Sequence, residues 1–144
     1  DDQRAVTLFA WSAFADRNRS LAIARGMGRL TTHVLDLTTG KPAAGLRVDL
    51  QRQLSAGLGA PTLEFATNRD GRVAQPMLEG AALKAGRYAL IFHVAEYFSA
   101  QGIDLPEPAF LDQVCINFGI ADAQQNYHVP LLVTPWSYST YRGS

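Results

Sequence analysis

The sequence has little of what several large classes of protein depend on. It has one cysteine, so neither an internal disulfide framework nor a zinc site built on cysteines can form. Its formal net charge is zero, whereas a nucleic-acid-binding protein normally carries a basic excess that displaces counterions from phosphates. It also has no uncharged apolar run of about 18 residues, the length that a membrane-spanning helix needs. We therefore expect no nucleic-acid partner and no membrane partner.

Motifs of common catalytic machineries are missing as well. The chain has no G-x-S-x-G nucleophile elbow, no G-x-x-x-x-G-K-[ST] phosphate-binding loop and no G-x-G-x-x-G after a strand. Cys115 lies in an apolar run without a cation nearby in sequence, which predicts an inert, packed thiol. Any catalysis would therefore depend on histidine, arginine and water, and we expect no cofactor.

The composition is that of an ordinary globular protein. Of the 144 residues, 47% are apolar and 18% are charged, and this length suits one domain with its own core. Residues 1–26 are rich in alanine and arginine, and the pattern changes near Met27. We therefore predict an N-terminal extension of unknown role at 1–26 and a folded domain at 27–144. With one cysteine and no convincing export signal, we expect a cytoplasmic protein, with a periplasmic location less favoured.

Short runs of alternating apolar and polar residues dominate the chain after residue 30. Turn residues separate these runs, which lie at 30–37, 46–50, 62–67, 87–94, 114–120, 127–134 and 139–141. One or two helical turns are expected at 95–100. The pattern predicts an all-β fold, an antiparallel β-sandwich of seven to eight strands with one short helix.

Three histidines and one arginine are the candidate functional residues, but each has an ordinary interpretation. His33, His93 and His128 each fit a strand histidine that a single hydrogen bond satisfies. No two of them have the close spacing of paired zinc ligands, so we expect no metal. Arg72 directly follows an Asp-Gly turn, where it is either a rigidly held cation or a solvated strand-end charge.

Four segments together resemble a known family. LTTHVLDLTTGKPAAG at 30–45, TNRDGR at 67–72, YHVPLL at 127–132 and the terminal YSTYRGS closely resemble the transthyretin-related 5-hydroxyisourate hydrolases of urate breakdown. The terminal YRGS is the most specific element, because transthyretin itself lacks it. Two positions depart from the family pattern: residues 110–113 lack the usual Pro-Glu, and Asn126 stands where many members have a further histidine.

The resemblance implies a transthyretin-like hydrolase domain at 27–144 that converts 5-hydroxyisourate to 2-oxo-4-hydroxy-4-carboxy-5-ureidoimidazoline. His33, Arg72 and His128 occupy the family's catalytic positions. An imidazole, with an ordinary pKa of about 6.5, can exchange protons near neutrality. A guanidinium can hold oxygen atoms and stabilise developing negative charge.

The resemblance further implies that the C-terminal tail forms part of the substrate site. The tail residues with this implied role are Tyr141, Arg142, Gly143 and Ser144, although Arg142 would instead anchor the tail if it formed a salt bridge. A homotetramer, arranged as a dimer of dimers with active sites between subunits, is also implied. The alternative function is a transthyretin-like carrier of a small ligand without catalysis.

Overall fold

In the computed structural model, the described residues are 28–53 and 62–144. The predicted extension at 1–26 and its boundary at Met27 lie outside these ranges. The predicted all-β fold is confirmed, because the regular elements of the described residues are strands apart from one short α-helix and one 3-10 turn.

The elements are named here in chain order. The strands are β1 (Arg29–Thr31), β2 (Val34–Asp36), β3 (Lys41–Pro42), β4 (Arg47–Gln53), β5 (Thr62–Ala66), β6 (Leu78–Glu79), β7 (Gly86–Phe92), β8 (Val114–Ile120), β9 (Tyr127–His128), β10 (Leu131–Val133) and β11 (Tyr138–Thr140). The 3-10 turn (Gly80–Ala82) follows β6, and helix α1 (Val94–Ala100) lies between β7 and β8.

One layer of the sandwich is a regular antiparallel sheet in the order β5-β4-β7-β8. Its alternating sequence places one set of side chains, such as Val48 and Leu50 of β4, in the core. The same alternation turns Cys115 outward, because its neighbours Val114 and Ile116 on β8 face the core. The expectation of a packed thiol was wrong, since Cys115 is exposed.

The other layer contains two sheets, in the orders β6-β1-β9 and β11-β10-β2-β3. The pairings of β1 with β9 and of β2 with β10 are parallel, which the local alternation did not predict. The predicted strand at 30–37 is divided between β1 and β2, and the one at 127–134 is divided between β9 and β10. Pro130, which has no N–H to donate, lies at the second break. These divisions raise the number of strands above the seven to eight predicted.

The buried side chains of both layers form one hydrophobic core. Tyr88, Phe92 and Phe98 are the largest side chains that it encloses completely. Among the described residues, no helix is both long and apolar enough to cross a membrane.

Candidate active site

A tight turn and a single β-bridge hold Arg72 beside His33. The side chain of Asn68 accepts a hydrogen bond from the Arg72 N–H (3.2 Å), and its N–H donates to the Arg72 carbonyl (2.8 Å). Gly71 has a φ of +71°, and a Cβ there would lie 2.5 Å from the carbonyl oxygen of Val34. Only glycine therefore fits between this turn and β2. The next residue, Arg72, pairs with His33 in an antiparallel bridge.

The guanidinium of Arg72 is exposed and available. Within residues 28–53 and 62–144, no carboxylate forms a salt bridge with it. An exposed guanidinium without such a partner can hold the oxygen atoms of a bound molecule through its planar set of donors.

His128 ends β9 next to a threonine of β1. The parallel register aligns Thr31 with His128, and the Thr31 Oγ1 lies 2.9 Å from Nδ1 of the imidazole. The tail approaches the same histidine through two backbone hydrogen bonds. The Gly143 N–H donates to the His128 carbonyl (2.7 Å), and the His128 N–H donates to the Gly143 carbonyl (3.2 Å).

The three predicted catalytic residues act on one another electrostatically. Burial lowers the pKa of the His128 imidazole from its ordinary value of 6.5, and the charges of Arg72 and then His33 lower it further. Burial and then Arg72 also lower the pKa of His33, while the backbone and carboxylate of Asp70 oppose that shift. The structure thus brings His33, Arg72 and His128 together and favours both imidazoles in their neutral, proton-accepting form.

The predicted substrate-contacting residues of the tail differ in what they touch. The Arg142 Nη2 donates to the Gln125 Oε1 (3.0 Å) and to the Asn126 carbonyl (3.1 Å), and its Cζ lies 4.8 Å from the centre of the Tyr127 ring. These contacts favour the anchoring alternative, through neutral groups rather than a salt bridge. Tyr141 and Ser144 are exposed beside this anchor, and the substrate-binding role of the four tail residues stays a prediction.

Two other predicted features lie outside this cluster. His93 is not part of a core strand but precedes α1, where its Nε2 lies 2.8 Å from the Asp49 Oδ2. Asn126, the predicted departure from the family pattern, accepts a hydrogen bond from the Arg29 N–H through Oδ1 (3.2 Å). In the described part of the chain, no group of three or more His, Cys, Asp or Glu side chains could hold a metal ion.

The sequence did not identify Thr31 as a functional residue. Alternation places it on the same strand face as His33, and that was the one available indication. Its partner His128 is 97 residues away, so the contact could not be inferred from local sequence.

Comparison with known proteins agrees with the resemblance. Residues 30–143 match the HIUase/Transthyretin family. A 5-hydroxyisourate hydrolase of Ralstonia nicotianae is 56% identical over 118 residues, which cover 82% of this chain and 100% of that protein. The structure of the Klebsiella pneumoniae 5-hydroxyisourate hydrolase matches at 37% identity with a TM-score of 0.63, over 81% of this chain and 100% of that one. Sea bream transthyretin in complex with thyroxine matches at 23% identity with a TM-score of 0.70, over 80% and 94% of the two chains, and shows the fold alone.

Proposed function

Since the chain belongs to the HIUase/Transthyretin family, we propose that it is the hydrolase that converts 5-hydroxyisourate to 2-oxo-4-hydroxy-4-carboxy-5-ureidoimidazoline in urate catabolism. The single observation that best supports this activity is that Arg72, paired with His33 in a β-bridge, lies near enough to both His33 and His128 for its charge to lower the pKa of each imidazole. Two neutral imidazoles beside an available guanidinium suit hydrolysis of a ring amide by water.

The reaction proceeds by general acid–base catalysis. One imidazole removes a proton from water as the water oxygen attacks the ring carbonyl, and Arg72 stabilises the negative charge that develops on the carbonyl oxygen. The C–N bond of the ring then breaks, and the nitrogen receives a proton from an imidazole. The carbonyl carbon is left as a carboxylic acid, which loses its remaining proton to solvent and becomes a carboxylate. His33 and His128 share the acid and base roles, and the lowered pKa of each favours the form that accepts a proton.

The tail completes one side of the substrate site. The contacts of Arg142 with Gln125 and Asn126 hold the tail in place, and the Gly143 backbone lies against His128. Tyr141, which precedes these anchored positions, and Ser144, which follows them, are exposed and contact the substrate, and Arg142 and Gly143 line the same side of the site.

The proposed enzyme is a homotetramer, a dimer of dimers with active sites between subunits. Strands β8 and β11 are edge strands of their sheets, and pairing edges between subunits satisfies their open backbone groups. The exposed rings of Phe110 and Trp136 stack on each other, with ring centres 6.0 Å apart, and would be covered by such contacts. Light scattering after gel filtration should give the mass of four chains, whereas a monomer mass would contradict the assembly.

The decisive experiment generates 5-hydroxyisourate in place with urate oxidase and follows its ultraviolet decay with and without the protein. We expect decay well above the spontaneous rate, and a loss of about 10²-fold or more in the Arg72→Ala variant. Arg69→Ala is the matched control, because Arg69 lies exposed in the same turn three positions before Arg72 and has no role in the proposed reaction. A decay rate that the wild-type protein does not accelerate would reject the hydrolase and favour the carrier.

A further inference from the structure

The hydroxyl of Thr31 lies 2.9 Å from Nδ1 of His128, and the reaction described above gives it no role. We infer that Thr31 is a positioning residue that fixes the orientation and the tautomer of the His128 imidazole. The catalytic consequence of this inference rests on the proposed hydrolase function, whereas the structural consequence does not.

The sheet register makes the contact between these side chains specific. Strands β1 and β9 run parallel, with Leu30 aligned to Tyr127 and Thr31 aligned to His128. Leu30 and Tyr127 are buried in the core, so β1 cannot slip by one residue without turning apolar side chains outward. The Thr31 hydroxyl is therefore held beside the imidazole by the packing of its neighbours.

The end of the His128 imidazole ring that is attached to the backbone through Cβ is held from two sides. Nδ1 faces the Thr31 hydroxyl, and the Cδ2 side lies against the backbone of Gly143, where an added Cβ would come within 3.0 Å of Cδ2. Nδ1 and Cδ2 are the two ring atoms bonded to Cγ, so holding both directs Nε2 away from the backbone. Among the described residues, Nε2 of His128 has no hydrogen-bond partner, which leaves it available for the reaction.

A hydroxyl partner suits a histidine that must both take and return a proton. When His128 is neutral, its Nδ1–H donates to the Thr31 hydroxyl, so the unprotonated Nε2 is the nitrogen that can accept a proton. When His128 is protonated, Nε2 carries the added proton, and Nδ1–H still donates to the same hydroxyl. Thr31 can therefore satisfy Nδ1 in both states. In the described part of the chain, the other charged or titratable groups that act on His128 are Arg72 and His33, and neither occupies Nδ1.

The neighbouring threonine provides a matched control. Thr32 is 2% exposed, and its hydroxyl donates to the Val129 carbonyl (2.7 Å) rather than to an imidazole. Substituting Thr32 removes one hydroxyl from the same segment but leaves the partner of Nδ1 in place.

The test compares Thr31→Val, Thr31→Ser and Thr32→Val by nitrogen-15 NMR of the imidazoles and by kcat, KM and pH–rate profiles. Above its titration range, His128 of the wild type should show the tautomer with the proton on Nδ1. Thr31→Val should give a mixture of tautomers, a kcat lower by about 10- to 100-fold with KM nearly unchanged, and an altered pH–rate profile. Thr31→Ser should restore both the tautomer and kcat. Thr32→Val should lower the unfolding temperature without changing the tautomer.

The NMR measurement needs no substrate, so it separates this inference from the hydrolase assignment. A single unchanged tautomer in folded Thr31→Val would overturn the positioning role, even with hydrolase activity intact. If Thr31→Val does not fold, Thr31→Ala against Thr31→Ser provides the same comparison, and equal tautomers and kcat in that pair would also overturn it. A tautomer shift in a protein that does not accelerate 5-hydroxyisourate decay would support the positioning role and reject the proposed function.

Discussion

Gly143 lies so close to His128 that a Cβ added to the glycine would come within 2.9 Å of the histidine Cβ. The two residues also exchange backbone hydrogen bonds in both directions. A side chain at position 143 would therefore push either the tail or the imidazole out of place. The glycine at this position therefore lets the tail and the His128 imidazole lie close together, in addition to any contact that it makes with substrate.

Gly143→Ala should consequently lower kcat/KM for 5-hydroxyisourate by about tenfold or more, since a small displacement of a catalytic group costs that much. The unfolding temperature should change little, because the tail adds little to the core. Gly119→Ala is the matched control, since a Cβ there meets nothing closer than 3.9 Å and φ is not positive. Equal loss of activity in both variants would contradict the role assigned to position 143.

His128→Ala should affect turnover, whereas His93→Ala should affect stability. His128→Ala should lower turnover by about 10²-fold or more while the protein remains folded, because it removes a proton-transferring group. His93→Ala should lower the free energy of unfolding by about 1–3 kcal/mol, because it removes the partner of the Asp49 carboxylate. Turnover per folded molecule should be kept in His93→Ala. Urea unfolding and the ultraviolet assay on the same samples check both, and a stable, inactive His93→Ala would contradict the assignment.

Stability should decrease in mild acid because of the two site histidines. The folded state lowers the pKa of both His33 and His128 below 6.5, so below that pH the unfolded chain binds more protons than the folded one. The free energy of unfolding should therefore be level above about pH 6.5 and fall as the pH drops below it. Urea unfolding between pH 8 and pH 5 tests this. The decline should be smaller in His33→Asn and His128→Asn, and an unchanged decline in both would argue against these shifts.

Tyr97 should contribute to the stability of the fold without taking part in the reaction. Its hydroxyl donates to the Asp36 Oδ2 (2.9 Å), and burial, with a further contribution from Asp36, raises the pKa of Tyr97 to about 12. Tyr97→Phe should lower the free energy of unfolding by about 1–3 kcal/mol, because the buried Asp36 carboxylate loses a donor. Tyr138→Phe is the control, since Tyr138 is 47% exposed. Similar losses in the two variants would contradict this reasoning.

The fold was predictable from sequence where local alternation decides the structure. The clear period of two at Val114, Ile116, Phe118 and Ile120 correctly predicted β8, although Phe118 is only partly buried against the core. The parallel pairings of β1 with β9 and of β2 with β10 were missed, because alternation shows which face is buried but not which strand lies alongside. Cys115 was misjudged because its apolar neighbours were given more weight than its position in the alternation.

The site was less predictable than the fold. His33, Arg72 and His128 are far apart in sequence, and their meeting was implied only by the resemblance to known hydrolases. Asn68 and Gly71 do carry a local pattern, since Asp-Gly turns favour a positive φ at the glycine. The contact of Thr31 with His128 depends on strand register across 97 residues, which no local rule provides.

His33 lies at the break between β1 and β2, and His128 lies directly before the break between β9 and β10, which has a consequence for how the chain becomes active. The reacting groups come from three distant stretches of sequence that meet only when β1 and β2 lie alongside β9 and β10. Pairings between such distant stretches form slowly, because a long loop must close first. During refolding from urea, catalytic competence should thus return after most of the circular-dichroism signal, with the hairpins of β4, β5, β7 and β8 forming before the reaction centre exists.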